Sequence, residues 1–188
     1  MVFADQIRSL PAALHPETPS IQQHQLLKAL GPLDDIPACL LLCNNPLPGY
    51  RPPHIHYGIW LAPSELEQYA DENAFNEEIQ AQYTGGEFTG NEKYAFAIDK
   101  AREVTGLALP YYGCYGPGGM ASGLVISFFD NYTAPAVRPS ISQHAVSTVK
   151  LLSDTDGPRW YVQYTAHSWE RIKSTRKTKR TRRTTTVD

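Results

Sequence analysis

Two histidines two positions apart, in Arg51-Pro52-Pro53-His54-Ile55-His56, are the residues of this chain best placed to do chemistry together. On an extended strand, residues i and i+2 share a face about 7 Å apart. From there both imidazoles can converge on one metal ion. A centre of that kind needs at least one further ligand, a carboxylate, cysteine or tyrosine, at about 2 Å. The expectation is that this third group is absent, and that the pair sits at a strand start on a partly wet face. Cys39 and Cys43 do not supply it. Four positions apart on one strand they would be about 13 Å from each other, too far to share an ion. They read as buried structural cysteines. The densest glycine stretch runs from Tyr111 to Gly123 and contains Tyr112 and Cys114. Glycine admits close backbone approach, so this stretch could cradle an anion or present Cys114 as a nucleophile. No P-loop lysine follows, and none of the six histidines is marked out as a base for the thiol. The stretch reads as a structural loop whose tyrosines line a groove, and Arg51, Tyr112 and Cys114 are the candidate substrate or ligand contacts.

The histidine string resembles the Arg-Pro-x-His-x-His signature of the intradiol ring-cleaving dioxygenases over six residues. The resemblance implies that His54 and His56 ligate a ferric ion and that Arg51 positions the substrate. That family also carries two tyrosinate ligands well upstream of the histidines. Here Tyr50 is the only tyrosine before His54, so half of the implied iron site has no counterpart. The cupin pattern, His-x-His followed closely by a glutamate, is not met either, because the next acid is Glu65 in a predicted helix.

The elements that must position these groups are legible in part. Ser20-Ile-Gln-Gln23, Ser64-Glu-Leu-Glu67 and Ser140-Ile-Ser-Gln143 each match a capping box, predicting helices over 20–30, 64–82 and 140–152. The third would lay Ile141, Ala145, Val149 and Leu152 on a sheet. A fourth helix is predicted over 92–104, with Asn91 as cap and Gly106 beyond it. Strands are predicted at 38–43, 55–61, 124–129 and 159–166, the last with the alternation of a half-buried antiparallel strand. Breaks fall at 44–53, 84–90, 110–123 and 133–139, all rich in Gly, Pro or Asn. The order lacks regular βα alternation and points to a single α+β domain, with helices packed on a mainly antiparallel sheet. Trp160 and Trp169 read as core and edge packing.

Charge divides the chain unevenly. From Arg171 onward there are eight Lys or Arg residues against Asp188 alone, about +7. The preceding 170 residues hold nine of the 17 basic groups and 18 of the 19 acidic ones, which is near −9. The division is therefore a globular domain over 1–170 and a basic Lys/Arg/Thr-rich tail over 171–188, expected to be disordered or extended because it lacks apolar anchors. Lys177, Lys179, Arg180, Arg182 and Arg183 are the candidate contacts to nucleic-acid phosphates or an import receptor. The apolar stretches are too short to span a bilayer. The N-terminus lacks a signal pattern, and an odd cysteine count fits a reducing compartment, so an intracellular and even nuclear location is expected. The leading functional expectation is a non-catalytic binding or scaffolding domain with a localising or phosphate-contacting tail. A small metal-dependent, non-haem iron-like enzyme built on His54 and His56 is the alternative. A third reading is an interaction module whose acidic helix, from Glu65 to Glu78, meets a basic partner. No cofactor is singled out.

Overall fold

In the computed structural model, the described residues are 2–45, 47–83, 92–106, 110–119, 123–133, 143–150 and 157–172. The strand that organises them is the apolar run carrying the second histidine. Tyr50–Arg51 is β1, and Ile55–Leu61 is β2. Tyr111–Cys114 is β3, Gly123–Asp130 is β4, Arg159–Val162 is β5, and Glu170–Arg171 is β6. Strands β3, β4, β2 and β5 lie in that order in an antiparallel sheet, while β1 and β6 form a separate two-stranded ribbon. The helices are α1 (Val2–Arg8), α2 (Ser20–Leu30), α3 (Pro63–Glu72), α4 (Glu77–Tyr83), α5 (Glu92–Thr105) and α6 (Gln143–Lys150). The fold is the α+β arrangement expected. Among the described residues no helix is long and apolar enough to cross a membrane.

Side chains alternate along β2, so its two faces bury different things. One face carries Ile55 and Tyr57, packed with Leu14, Leu27, Leu40 and Trp160, and then Ile59 and Leu61, packed with Leu66, Phe96 and Ile126. The opposite face carries Trp60, packed with Cys114, Val125 and Tyr161, and His56 beyond it. Most of β2 is buried on both sides, which explains why its sequence is a continuous apolar run.

The pairing of β2 with β4 contains an irregularity. His56 faces Asp130 and Tyr57 faces Phe129, but Gly58 faces Ser127, so Phe128 is an extra residue on β4. Such a bulge breaks the alternation of a strand. Ser127 and Asp130 are three positions apart and would point to opposite sides of a regular strand. With the bulge between them both lie on the face of His56.

Several expected elements are corrected. Residues 38–43 are not a strand but two 3-10 turns, Ala38–Leu40 and Leu42–Asn44, the first closed by Leu40 N–H donating to Pro37 O at 2.9 Å. A short apolar run has no period to distinguish these shapes, and the fixed φ of Pro37 starts the turn. Cys43 is accordingly exposed rather than buried, while Cys39 is buried. The helix over 64–82 is interrupted: Ala74 has a positive φ of 63° between α3 and α4. The caps also differ. Pro19 and Ala62, not Ser20 and Ser64, are the N-cap residues, and Glu65 rather than Glu67 takes the Ala62 N–H, at 2.7 Å. Ser140 and Ile141 lie outside the described residues, and the helix there is described from Gln143, with Val149 buried. The strand over 159–166 ends at Val162 and is buried on both sides, Trp160 and Tyr161 alike. The supposed loop over 110–123 begins with β3.

Candidate metal centre

The site forms where the entry to β2 meets the end of β4. Asn131, fully buried, fixes that entry. Its carboxamide oxygen accepts from Ile55 N–H at 2.8 Å, and its amide nitrogen donates to Leu40 O at 2.6 Å and Pro53 O at 2.9 Å. On the other side, His54 N–H donates to Ala166 O at 2.8 Å, and Gln163 N–H donates to His54 O at 2.9 Å. His54 thus continues the ladder of β2 and shares a face with His56.

The two imidazoles lie close, with ring centroids 4.4 Å apart. His54 Nε2 is 2.8 Å from Asp130 Oδ2. One ligand atom from each of His54, His56 and Asp130 falls within 4.8 Å of the other two. The third group expected to be missing is therefore Asp130, brought in from the far end of β4. Two tyrosines wall the site. Tyr112 stacks on His56 at 3.8 Å and 13°, and Tyr132 stacks on His54 at 4.5 Å and 16°. The Tyr132 hydroxyl donates to Pro52 O at 2.7 Å, so its ring, not its oxygen, faces the site.

Electrostatics prepare the groups as ligands. Burial is the main force on His56 and lowers its pKa to about 4, with His54 adding to the fall and Gln163 and Asp130 opposing it. The ring is neutral at pH 7, which is the form that binds metal. Burial alone would raise Asp130, but hydrogen bonds from His54 and from the Thr133 hydroxyl and amide outweigh it and hold the carboxyl below its usual range. It is anionic at any ordinary pH. His54 and Asp130 are about one-fifth exposed, whereas His56 is fully buried, so the approach from solvent is over His54 and Asp130.

The other anticipated residues are placed differently. Tyr112 belongs to the site as a wall. Arg51 is exposed on β1, and its charge acts on Tyr132, whose phenol is raised chiefly by burial and lowered by Arg51. Cys114 is buried with its thiol pushed up by burial, so it is no nucleophile. The glycines around it serve packing: a Cβ at Gly116 or Gly123 would lie 2.2 or 2.3 Å from the Trp60 ring. The acidic groups from Glu65 to Glu78 are split between α3 and α4. Among them Glu67 accepts from the Tyr94 hydroxyl at 3.3 Å, and Asp71 pairs with Lys93 at 2.5 Å. Lys177, Lys179, Arg180, Arg182 and Arg183 lie outside the described residues. Sequence reasoning missed Asp130, Ser127, Gln163 and Tyr132. The available signal was Asp130-Asn131 closing a predicted strand, but only the register shows what it faces.

No family model matches this chain, and neither a curated protein nor a solved structure does. The reading of the site rests on its own geometry.

Proposed function

We propose that this protein is a small metal-dependent enzyme in which His54, His56 and Asp130 hold one divalent first-row transition ion. The observation that supports this reading is the convergence of two imidazoles and a carboxylate within 4.8 Å. Two histidines and one carboxylate with remaining positions open are the donor set of mononuclear non-haem iron sites, and zinc accepts the same donors. A bound ion would supply Lewis-acid activation of water, oxygen or a substrate oxygen. The chain's own residues do the rest. Neutral His56 and anionic Asp130 present lone pairs without first losing protons. Tyr112 and Tyr132 keep the imidazoles from turning. Partial exposure of His54 and Asp130 leaves the side on which a small substrate enters.

Metal analysis of protein purified without added chelator tests the reading. The expected result is stoichiometric iron or zinc, lost when His54 and His56 are both replaced by alanine in a protein that still folds. Metal retained by that double variant, or wild-type protein that takes up neither ion on reconstitution, overturns it.

A second reading concerns the other end of the chain and is favoured by charge segregation. The tail, near +7, is the part able to meet phosphates, since the remainder, near −9, repels them. It would act in location or in salt-sensitive nucleic-acid contact.

A further inference from the structure

His56 has both ring nitrogens facing oxygen: Nδ1 lies 3.2 Å from Ser127 Oγ, and Nε2 lies 3.2 Å from Gln163 Oε1. The neighbours of those oxygens decide where the ring proton sits. Ser127 Oγ donates its single proton to Phe129 O at 3.1 Å, so towards the imidazole it can only accept. Nδ1 must then carry the hydrogen. Gln163 is placed with its amide nitrogen donating to Thr165 Oγ1 at 3.0 Å and its carbonyl oxygen towards His56. With the ring proton on Nδ1, Nε2 and Gln163 Oε1 face each other as two acceptors 3.2 Å apart. Two acceptors in that relation want a cation. Oxygen and nitrogen ligands at right angles around an ion with bonds of about 2.1 Å lie about 3 Å apart, which is the spacing here. His54 Nε2 and Asp130 Oδ2 have a similar spacing, 2.8 Å, but there His54 donates to the carboxylate, and an ion would take the place of that proton.

We infer that Gln163 Oε1 is a fourth ligand of the centre, adjacent to His56 Nε2, and that Ser127 orients His56 by accepting its Nδ1–H and passing the bond on to the Phe129 carbonyl. The inference rests on the metal reading above and extends it. A ligating imidazole whose second nitrogen donates to an oxygen is the usual support of a bound ion. Gln163 is fixed from its backbone as well, through the bond to His54 O, so its amide is carried at the same height on the sheet as the histidines. The donor set becomes two imidazoles, one carboxylate and one amide oxygen, which favours iron, manganese or zinc over softer ions that prefer sulfur.

Two measurements test this on the full chain. Long-range proton–nitrogen NMR of the metal-free protein reads the His56 tautomer: Nδ1–H is expected, and Nε2–H overturns the inference. Cobalt(II) titration, followed by visible absorption, reads the ligand. Gln163→Leu should weaken cobalt binding on the order of tenfold or more and change the absorption envelope, while Gln163→Glu, which keeps an oxygen donor, should bind at least as tightly as wild type. Unchanged affinity and spectrum in Gln163→Leu remove Gln163 from the ligand set and leave His54, His56 and Asp130 in place. Wild-type protein that binds no cobalt overturns the metal reading and this inference together.

Discussion

Two clusters in this molecule are made of the same kinds of ring. His54 and His56 lie between Tyr112 and Tyr132. Some distance along the sheet, His24, Tyr115, Tyr164 and His167 meet with ring centroids 5.3 to 6.4 Å apart. In the second cluster most rings meet edge to face, and the polar atoms pair off within it. His24 Nδ1 is 2.7 Å from the Tyr115 hydroxyl, and His167 Nδ1 donates to Tyr164 O at 2.7 Å. In the first the tyrosines stack nearly flat on the histidines, and the imidazoles face a carboxylate and an amide oxygen. Ring content alone does not make a metal site. What the candidate centre adds is a charged oxygen donor on the same face, and among the described residues His54, His56 and Asp130, at the entry to β2, are the group that could hold an ion.

The comparison is broken most directly by exchanging the roles. Asp130→Ala should abolish stoichiometric metal, whereas His24→Ala with His167→Ala should leave the metal content unchanged, both read by elemental analysis. If the second pair also depletes the metal, the distinction drawn from the carboxylate fails.

Next in size is the anchor of the site. Asn131→Ala removes three buried side-chain hydrogen bonds and leaves Ile55 N–H, Leu40 O and Pro53 O without those partners. A loss of about 3 kcal/mol is expected in denaturant unfolding, on the scale of buried groups left unsatisfied. A loss below about 1 kcal/mol would mean that water replaces the amide.

The pH dependence should divide the clusters. In the folded protein His56 titrates near 4 against an ordinary 6.5, so the unfolded chain takes up that proton first. Stability from this group is whole above pH 6.5 and is lost as pH falls towards 4, by about 3 kcal/mol in metal-free protein. Tyr115 runs the other way. Burial, and then Tyr164, raises its phenol from 10 to about 12, so its contribution is present below pH 10 and lost as pH rises towards 12. His56→Phe should flatten the acid limb, and Tyr115→Phe the alkaline one, in thermal melts across pH.

The smallest effect is expected from the tail. Deleting residues 174–188 should leave the melting temperature nearly unchanged and metal content intact, while removing any salt-dependent binding to nucleic acid. Undiminished binding by the shortened protein would place that contact on the body.

Where the pattern was local, the sequence told the story. Residues 55–61 read as a strand because β-branched and aromatic residues run between a proline pair and Pro63, and the structure has Ile55–Leu61 as β2. The order of elements likewise excluded a doubly wound sheet. Legibility failed where a single-residue or long-range event decided the outcome. Nothing local says that Ala74 turns the chain between α3 and α4. Glycines at 116 and 123 looked like a loop for ligands because their partner, the Trp60 ring, lies more than fifty positions away. The centre itself was half visible. His54 and His56 share a face by spacing alone, but Asp130 reaches them through a register set across 74 residues, and Gln163 from just beyond β5, on the other side of β2.

The extra residue at Phe128 gives the centre an unusual kind of dependence. Whether Asp130 joins Ser127 on one side of the sheet is a matter of odd or even count, not of side-chain chemistry. Removing Phe128 would leave the serine and the aspartate two positions apart on a regular strand and still on one side, whereas one more residue there without a second bulge would send either the carboxylate or the hydroxyl to the other side. A relative one residue shorter and without the bulge would therefore keep the arrangement, while one a residue longer with the same single bulge would carry the letters of the site without its geometry.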